Sequence, residues 1–251
     1  MISTRLFLSV ALLTAVVAMP VQAGPVSHAL QVTPEGAVLF VDLEQNRLLR
    51  YHEGELSVAS DLEGVPAGDH LQNLVLTLDG ELYLGERKTV WKIDSNGGAE
   101  IAKPPKALKS LFGGRPGDLG RDGSVYVARD YKNIERSMPG GDSLPVLVTD
   151  NISKIHSLAV TPYGRIFFGN TSEVAKLESD GSVKIFVELA GDRVLGLAAI
   201  GENRFLLLRQ DKNGARSLEI IDPFGNSQVL VNSNQIASVT DAGPLAITNA
   251  E

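Results

Sequence analysis

The sequence predicts an all-β fold, a β-propeller of four-stranded blades, on three observations. A motif of apolar strand, Gly turn and second apolar strand ending in an acid or amide recurs six times. Its copies begin at Leu30, Leu74, Gly117, Leu158, Leu197 and Ala237, which lie 44, 43, 41, 39 and 40 residues apart. At that spacing repeats stack as solenoids or close as propellers. The stretches between copies hold two further strands joined by a Gly turn, and four antiparallel strands per period of about 40 residues make a propeller blade.

The elements follow in order. In the first copy Leu30-Gln-Val-Thr-Pro-Glu-Gly36 leads into a strand ending at Asp42, then Arg47 to Tyr51, a turn at Glu53-Gly54, and Glu55 to Ala59. The second runs from Leu74 through Gly80 to Glu86, then Thr89 to Ile93, a turn at Asn96-Gly97 and Ala99 to Ala102. The third is the loosest, with Gly117 to Asp130, Asn133 to Arg136 and Leu144 to Val148. The fourth has Leu158 to Asn170, Glu173 to Leu177 and Ser182 to Val187, and the fifth Leu197 to Gln210, Ser217 to Ile221 and Ser227 to Val231. First strands are small and apolar, as Leu158-Ala-Val-Thr161, whereas second strands are bulky, as Arg204-Phe-Leu-Leu-Leu208. That gradient suits blades crowding an axis. The Gly-Gly pairs beginning at 97, 113 and 140 lie between strands with no helix after them, so they read as hairpin turns and not phosphate loops. Phe40, Tyr83, Trp91, Tyr126, Phe167, Phe168 and Phe205 fall on strand positions and read as core.

The last copy, Ala237 to Asn249, supplies two strands only. The expectation is six blades with an incomplete last one; five blades with an accessory hairpin, or a shortened chain, are the alternatives.

The ends and the charge narrow the function classes. Arg5, an apolar run from Leu6 to Met19 and the small-residue site Val21-Gln-Ala23 read as a secretory signal peptide over residues 1–23. The run is shorter than the roughly 20 residues that span a bilayer, and Pro20 interrupts it. Residues 24–251 then form one exported domain, periplasmic or extracellular, with no membrane anchor after cleavage. The chain has no Cys, so it carries neither a disulfide framework nor a thiol nucleophile. A net charge of −7 spread along the chain argues against nucleic acid, which needs a basic face. A monomer is the default, with a small polar molecule or a protein as partner.

Candidate site residues come from aligning the copies. Two residues before the six starts stand His28, Gln72, Arg115, His156, Leu195 and Gln235; after the second strands stand Asp42, Glu86, Asp130, Asn170, Asp211 and Asn249. In a propeller both sets surround one mouth of the central channel. In a six-bladed ring the first and fourth copies are opposite, which would set His28 against His156 and make them tentative ligands for a divalent metal ion. His70 could join them, whereas His52 reads as facing solvent. The other expectation for these polar positions is a solvated channel lining.

The cores from Gly36 to Asp42 and from Gly123 to Asp130 resemble those of six-bladed propellers with NHL repeats and of the gluconolactonase-like, senescence marker protein family. The resemblance implies a fold first. It also implies a divalent ion held by Glu, Asn and Asp, which polarises a lactone carbonyl. The positions equivalent to those ligands are His28, Gln72 and His156, no Glu-Gly-Pro precedes the first strand, and Asp118 is the one acid near an inner-strand start. Two readings result: an exported binding module holding a small polar ligand, ion or peptide at the channel mouth, and a metal-dependent lactone hydrolase using His28 and His156 with Asp42 or Asp118.

Overall fold

The computed structural model describes residues 29–66, 71–86, 89–113, 115–147, 154–189, 191–202, 204–240 and 245, with backbone only at 71, 72 and 86. The strands within it form five four-stranded antiparallel sheets, each built from one continuous segment with its strands in sequence order. The first blade comprises β1 (Leu30–Val32), β2 (Val38–Asp42), β3 (Arg47–His52) and β4 (Glu55–Ser60). The second comprises β5 (Leu71–Leu76), β6 (Leu82–Glu86), β7 (Thr89–Ile93) and β8 (Ala99–Ile101). The third holds β9 (Gly117–Leu119), β10 (Val125–Arg129), β11 (Asn133–Ser137) and β12 (Ser143–Leu147). The fourth holds β13 (Ser157–Val160), β14 (Ile166–Gly169), β15 (Glu173–Leu177) and β16 (Val183–Glu188). The fifth holds β17 (Arg193–Ile200), β18 (Arg204–Gln210), β19 (Arg216–Ile221) and β20 (Ser227–Val231).

The repeated motif is a hairpin with its own chemistry. Between the first and second strands the hydroxyls of Thr33, Thr77 and Thr161 accept the amide N–H of Ala37, Glu81 and Arg165 at 3.0, 2.9 and 3.0 Å. Gly36, Gly80 and Gly164 follow at φ of +88°, +82° and +78°, where a side chain would be strained. The bulky second strands are wholly buried at Val38–Asp42 and Ile166–Gly169. Phe167 and Phe205 are fully buried against each other across the fourth and fifth blades, ring centroids 4.6 Å apart. Burying each such ring contributes about 1.5–3 kcal/mol.

Five interblade cores decide the number of blades. One cluster fills each boundary, between first and second, second and third, third and fourth, fourth and fifth, and fifth and first. In the last, Leu30, Phe40 and Leu49 pack with Leu206, Leu208 and Leu218. Inner strand β17 touches β1, so the ring closes at five. The expectation of six blades is corrected. Ala237, the predicted start of a sixth inner strand, lies on helix α1 (Ser233–Ser238), whose Asn232 and Gln235 form a reciprocal capping box. Its Ile236 is buried at the seam of the fifth and first blades, and Leu245 is buried between the first and second. Helix α1 therefore lies over the closure and does not widen it.

A second difference lies between the second and third blades. The Gly-Gly pair at 113 is not a hairpin turn: Lys106–Phe112 is a 3-10 helix ending at Gly113, with Leu108, Leu111 and Phe112 buried. Those three side chains fill the interblade core.

The outer turns lean on neighbouring blades. Gly97 adopts φ +84°, and a Cβ there would meet the carbonyl oxygen of Ala59 at 2.5 Å; at Gly54, φ +89°, a Cβ would meet nothing within 4 Å. Gly54→Ala is expected to lose about 1 kcal/mol through the left-handed backbone alone, and Gly97→Ala at least about 2 kcal/mol. Urea unfolding of both variants checks this, and equal losses would remove the interblade contact from the account.

Candidate functional site

Inner strands begin, and second strands end, on one face of the ring, here the front; the turns joining first to second strands form the rear. The front bears most of the predicted site. His28 and Asn249 lie outside the described residues, as does His70. Gln72 and Glu86 occupy β5 and the end of β6, where the backbone alone is described.

Several predicted rim residues organise their own turns. Asp42 Oδ1 accepts the Glu44 amide at 3.1 Å, and its carboxylate pairs with Arg47 and Arg216, each at 3.3 Å. The side-chain carbonyl of Asn170 accepts the amides of Ser172 and Glu173 at 2.8 and 3.0 Å. Asp211 accepts those of Asn213 and Ala215 at 2.8 and 2.9 Å. The acid or amide closing the first, fourth and fifth repeats is thus the side chain that folds the next turn. Asp130 is exposed, with φ +50°, and Tyr131 follows at φ +60°; two successive left-handed residues suit a tight hairpin. Gln235 caps α1, and Leu195 lies inside β17, packed in the seam.

Arg115 and His156 keep the places predicted for them. Arg115 lines a cavity of about 220 Å³ with Ser110, Gly113, Val127, Arg129 and Glu135. Its backbone is held by Asn73, buried in β5, whose amide donates to the carbonyl of Arg115 at 2.9 Å and to that of Leu111. Arg129 is neutralised by Glu135 at 2.5 Å. Among the described residues Arg115 has no carboxylate partner.

His156 precedes β13, half-buried, its amide donating to the Gly169 carbonyl at 2.8 Å. Burial first, then Lys154 and Arg193, hold its imidazole below the ordinary histidine range. Lys154 stacks over Tyr131 at 4.4 Å, and Tyr131 in turn accepts the Ile155 amide at 2.7 Å. The starts of three successive inner strands, β9, β13 and β17, therefore carry Arg115, His156 and Arg193. Sequence reasoning missed Arg193 because it began the fifth inner strand at Leu197. The signal was the polar Asp192-Arg193 pair before an apolar run, with a bulge between Val194 and Gly196 that shifts the alternation.

Deeper in the channel stands Asp118 on β9. Its carboxylate accepts the Val160 amide of the fourth blade at 2.7 Å and its neighbour Leu119 at 2.8 Å. It also takes a hydrogen bond from Gln31 of the first blade. In a ring of five the first and third blades are not neighbours, so this contact crosses the axis. Removal from water pushes the carboxyl up to about 6, against those three hydrogen bonds.

No protein-family model matches the sequence, and no match arises among curated proteins. Among solved structures the chain is similar to a gluconolactonase from Xanthomonas campestris, at 14% identity over 84% of this chain and 77% of that one, TM-score 0.52. It is also similar to virginiamycin B lyase from Staphylococcus aureus, at 13% identity over 82% and 69%, TM-score 0.42. A protein of unknown function from Bacteroides caccae aligns at 14% identity over 82% and 81%, TM-score 0.45. At 14% identity the likeness to the gluconolactonase shows a β-propeller fold and leaves the chemistry to the site.

Proposed function

We propose that the chain is an exported ligand-binding propeller whose front face holds a small anionic molecule beside Arg115, Lys154, His156 and Arg193. One observation carries the reading: the cations Lys154 and Arg193 stand close enough to His156 to oppose its protonation. An anion placed there would be attracted by both and would stabilise a protonated imidazole. The arginine fork suits carboxylate or phosphate geometry.

The same surroundings do not fit the divalent ion of a lactone hydrolase. Among the described residues no three His, Asp or Glu side chains are placed to hold a metal. Among the described residues the charged groups that act on His156, Lys154 and Arg193, are cations, which oppose a second positive charge. Asp42, one of the two acids in the alternative reading, is held by two arginines.

Titration of the full chain with citrate tests the proposal. Citrate is expected to bind saturably and to bind more tightly as pH falls below the histidine range. Arg115→Ala should weaken it about tenfold, which is about 1.4 kcal/mol. Absence of binding, or binding unchanged in Arg115→Ala combined with His156→Ala, would refute the site.

A further inference from the structure

The rear face holds a second cleft, between the third and fourth blades, of about 380 Å³, lined by Arg121, Asp122, Tyr126, Arg136, Thr161 and Tyr163 among others. That volume lies within the range of about 300–1,000 Å³ typical of small-molecule sites. Its place on the ring is remote from the front-face cations, and nothing in the repeat requires its composition.

The repeat itself marks the anomaly. Between first and second strands the tip position is Glu35, Asp79, Asp122 and Glu202 in the first, second, third and fifth blades, and Tyr163 in the fourth. At Asp79, Asp122 and Glu202 the tip is an exposed acid. Here the fourth blade replaces it with an aromatic ring left 72% exposed. The preceding position in the third blade departs as well: Arg121 stands where the first, second and fourth copies have Pro34, Leu78 and Pro162. Arg121 is exposed and has no ion-pair partner among the described residues.

The floor is already neutral. Arg136 lies over the Tyr126 ring, 5.7 Å from its centroid, and donates to Asp122 at 2.5 Å and to the Ser124 hydroxyl at 3.1 Å. Asp122 also accepts the Ser124 amide at 3.0 Å, and its carboxyl is held below the usual carboxylate range by that bond first, then by the Ser124 hydroxyl and Arg136. The pair can meet hydroxyl groups with both donors and acceptors. The unpaired charge left over is that of Arg121, which is positive. An exposed tyrosine offers a flat face to the C–H side of a sugar ring.

We infer that this cleft binds an acidic sugar, a pyranose bearing one carboxylate. The ring stacks on Tyr163, the hydroxyls meet Asp122 and Arg136, and the carboxylate pairs with Arg121. No part of this depends on the front-face site.

The test titrates the full chain with trigalacturonate, using maltotriose as the neutral control. Saturable binding of trigalacturonate is expected, at least tenfold weaker in Tyr163→Ala and in Arg121→Ala, and unchanged in Arg115→Ala. Both variants alter exposed side chains, so folding should persist, and circular dichroism checks that it does. Failure of trigalacturonate to bind, or binding indifferent to Tyr163→Ala, overturns the inference. Equal binding of maltotriose overturns the acidic assignment, and loss of binding in Arg115→Ala would move the sugar to the front face and overturn this site.

Discussion

Asp42→Ala is expected to destabilise the protein by about 3–5 kcal/mol, the loss seen when one partner of a buried ion pair is removed. The Asp42 side chain is 2% exposed and joins Arg47 of its own blade to Arg216 of the fifth. Without it, two guanidinium groups remain at the seam where the ring closes, with the Nε atoms of both already lacking hydrogen-bond partners. Arg47 keeps its bonds to the carbonyls of Ile236 and Val239, at 3.2 and 2.6 Å, so the loss falls on the contact between blades and not on the docking of α1. The Glu44 amide also loses its acceptor. Asp42→Asn, which can still accept that amide but carries no charge, should lose less than Asp42→Ala. Urea midpoints of the two variants measure the difference, and a loss under about 1 kcal/mol for Asp42→Ala would show that closure does not depend on this pair.

The second large effect is a pH dependence centred on Asp118. Its carboxyl titrates at about 6 in the folded ring and near 3.8 when the chain is unfolded. Because the folded value is raised, the folded state binds the extra proton between those two values. The stabilising contribution is complete below about 3.8 and lost as pH rises through about 6. The difference is worth about 3 kcal/mol in all. Asp118→Asn has no such titration, so the stability of the unchanged protein relative to the variant should fall by about that amount between pH 3.5 and 7.5. Comparing their urea unfolding across this range isolates Asp118 from every other titrating group. A constant difference would mean that the channel is wet enough to leave the carboxyl unshifted. The measurement also reports on the axis, since Asp118 is shifted by being enclosed between the third blade, the fourth and Gln31.

How legible the candidate site was depends on what each residue does. Arg115 and His156 stand at the inner-strand starts assigned from the repeat, because position within a repeat maps directly onto position around a ring. Asp42, Asn170 and Asp211 occupied equally regular places, yet their oxygens organise turns. A repeated polar residue satisfies either need, and sequence spacing does not separate them. Tyr163 was distinguishable only as the single aromatic among acidic tips, and its significance needed the cleft beside it. Asn73, which positions the backbone of Arg115, gave no signal, since an amide inside an apolar strand reads the same whether it reaches solvent or a neighbouring segment.

The chain by itself determined the blade. Alternating apolar runs, Thr-x-x-Gly turns and turn-closing Asp or Asn side chains are local interactions, and they placed Thr89–Ile93, Glu173–Leu177 and Ser227–Val231 at their observed bounds. Tertiary structure alone decided the ring. Closure at five depends on how many interblade cores can be filled around one axis, a sum over contacts far apart in sequence. The sixth copy has the letters of an inner strand, but a capping box at Asn232 starts a helix there first, and burial of Ile236 at the seam holds it. Once Arg47 and Arg216 meet at Asp42, β17 already touches β1, and no gap remains for another blade.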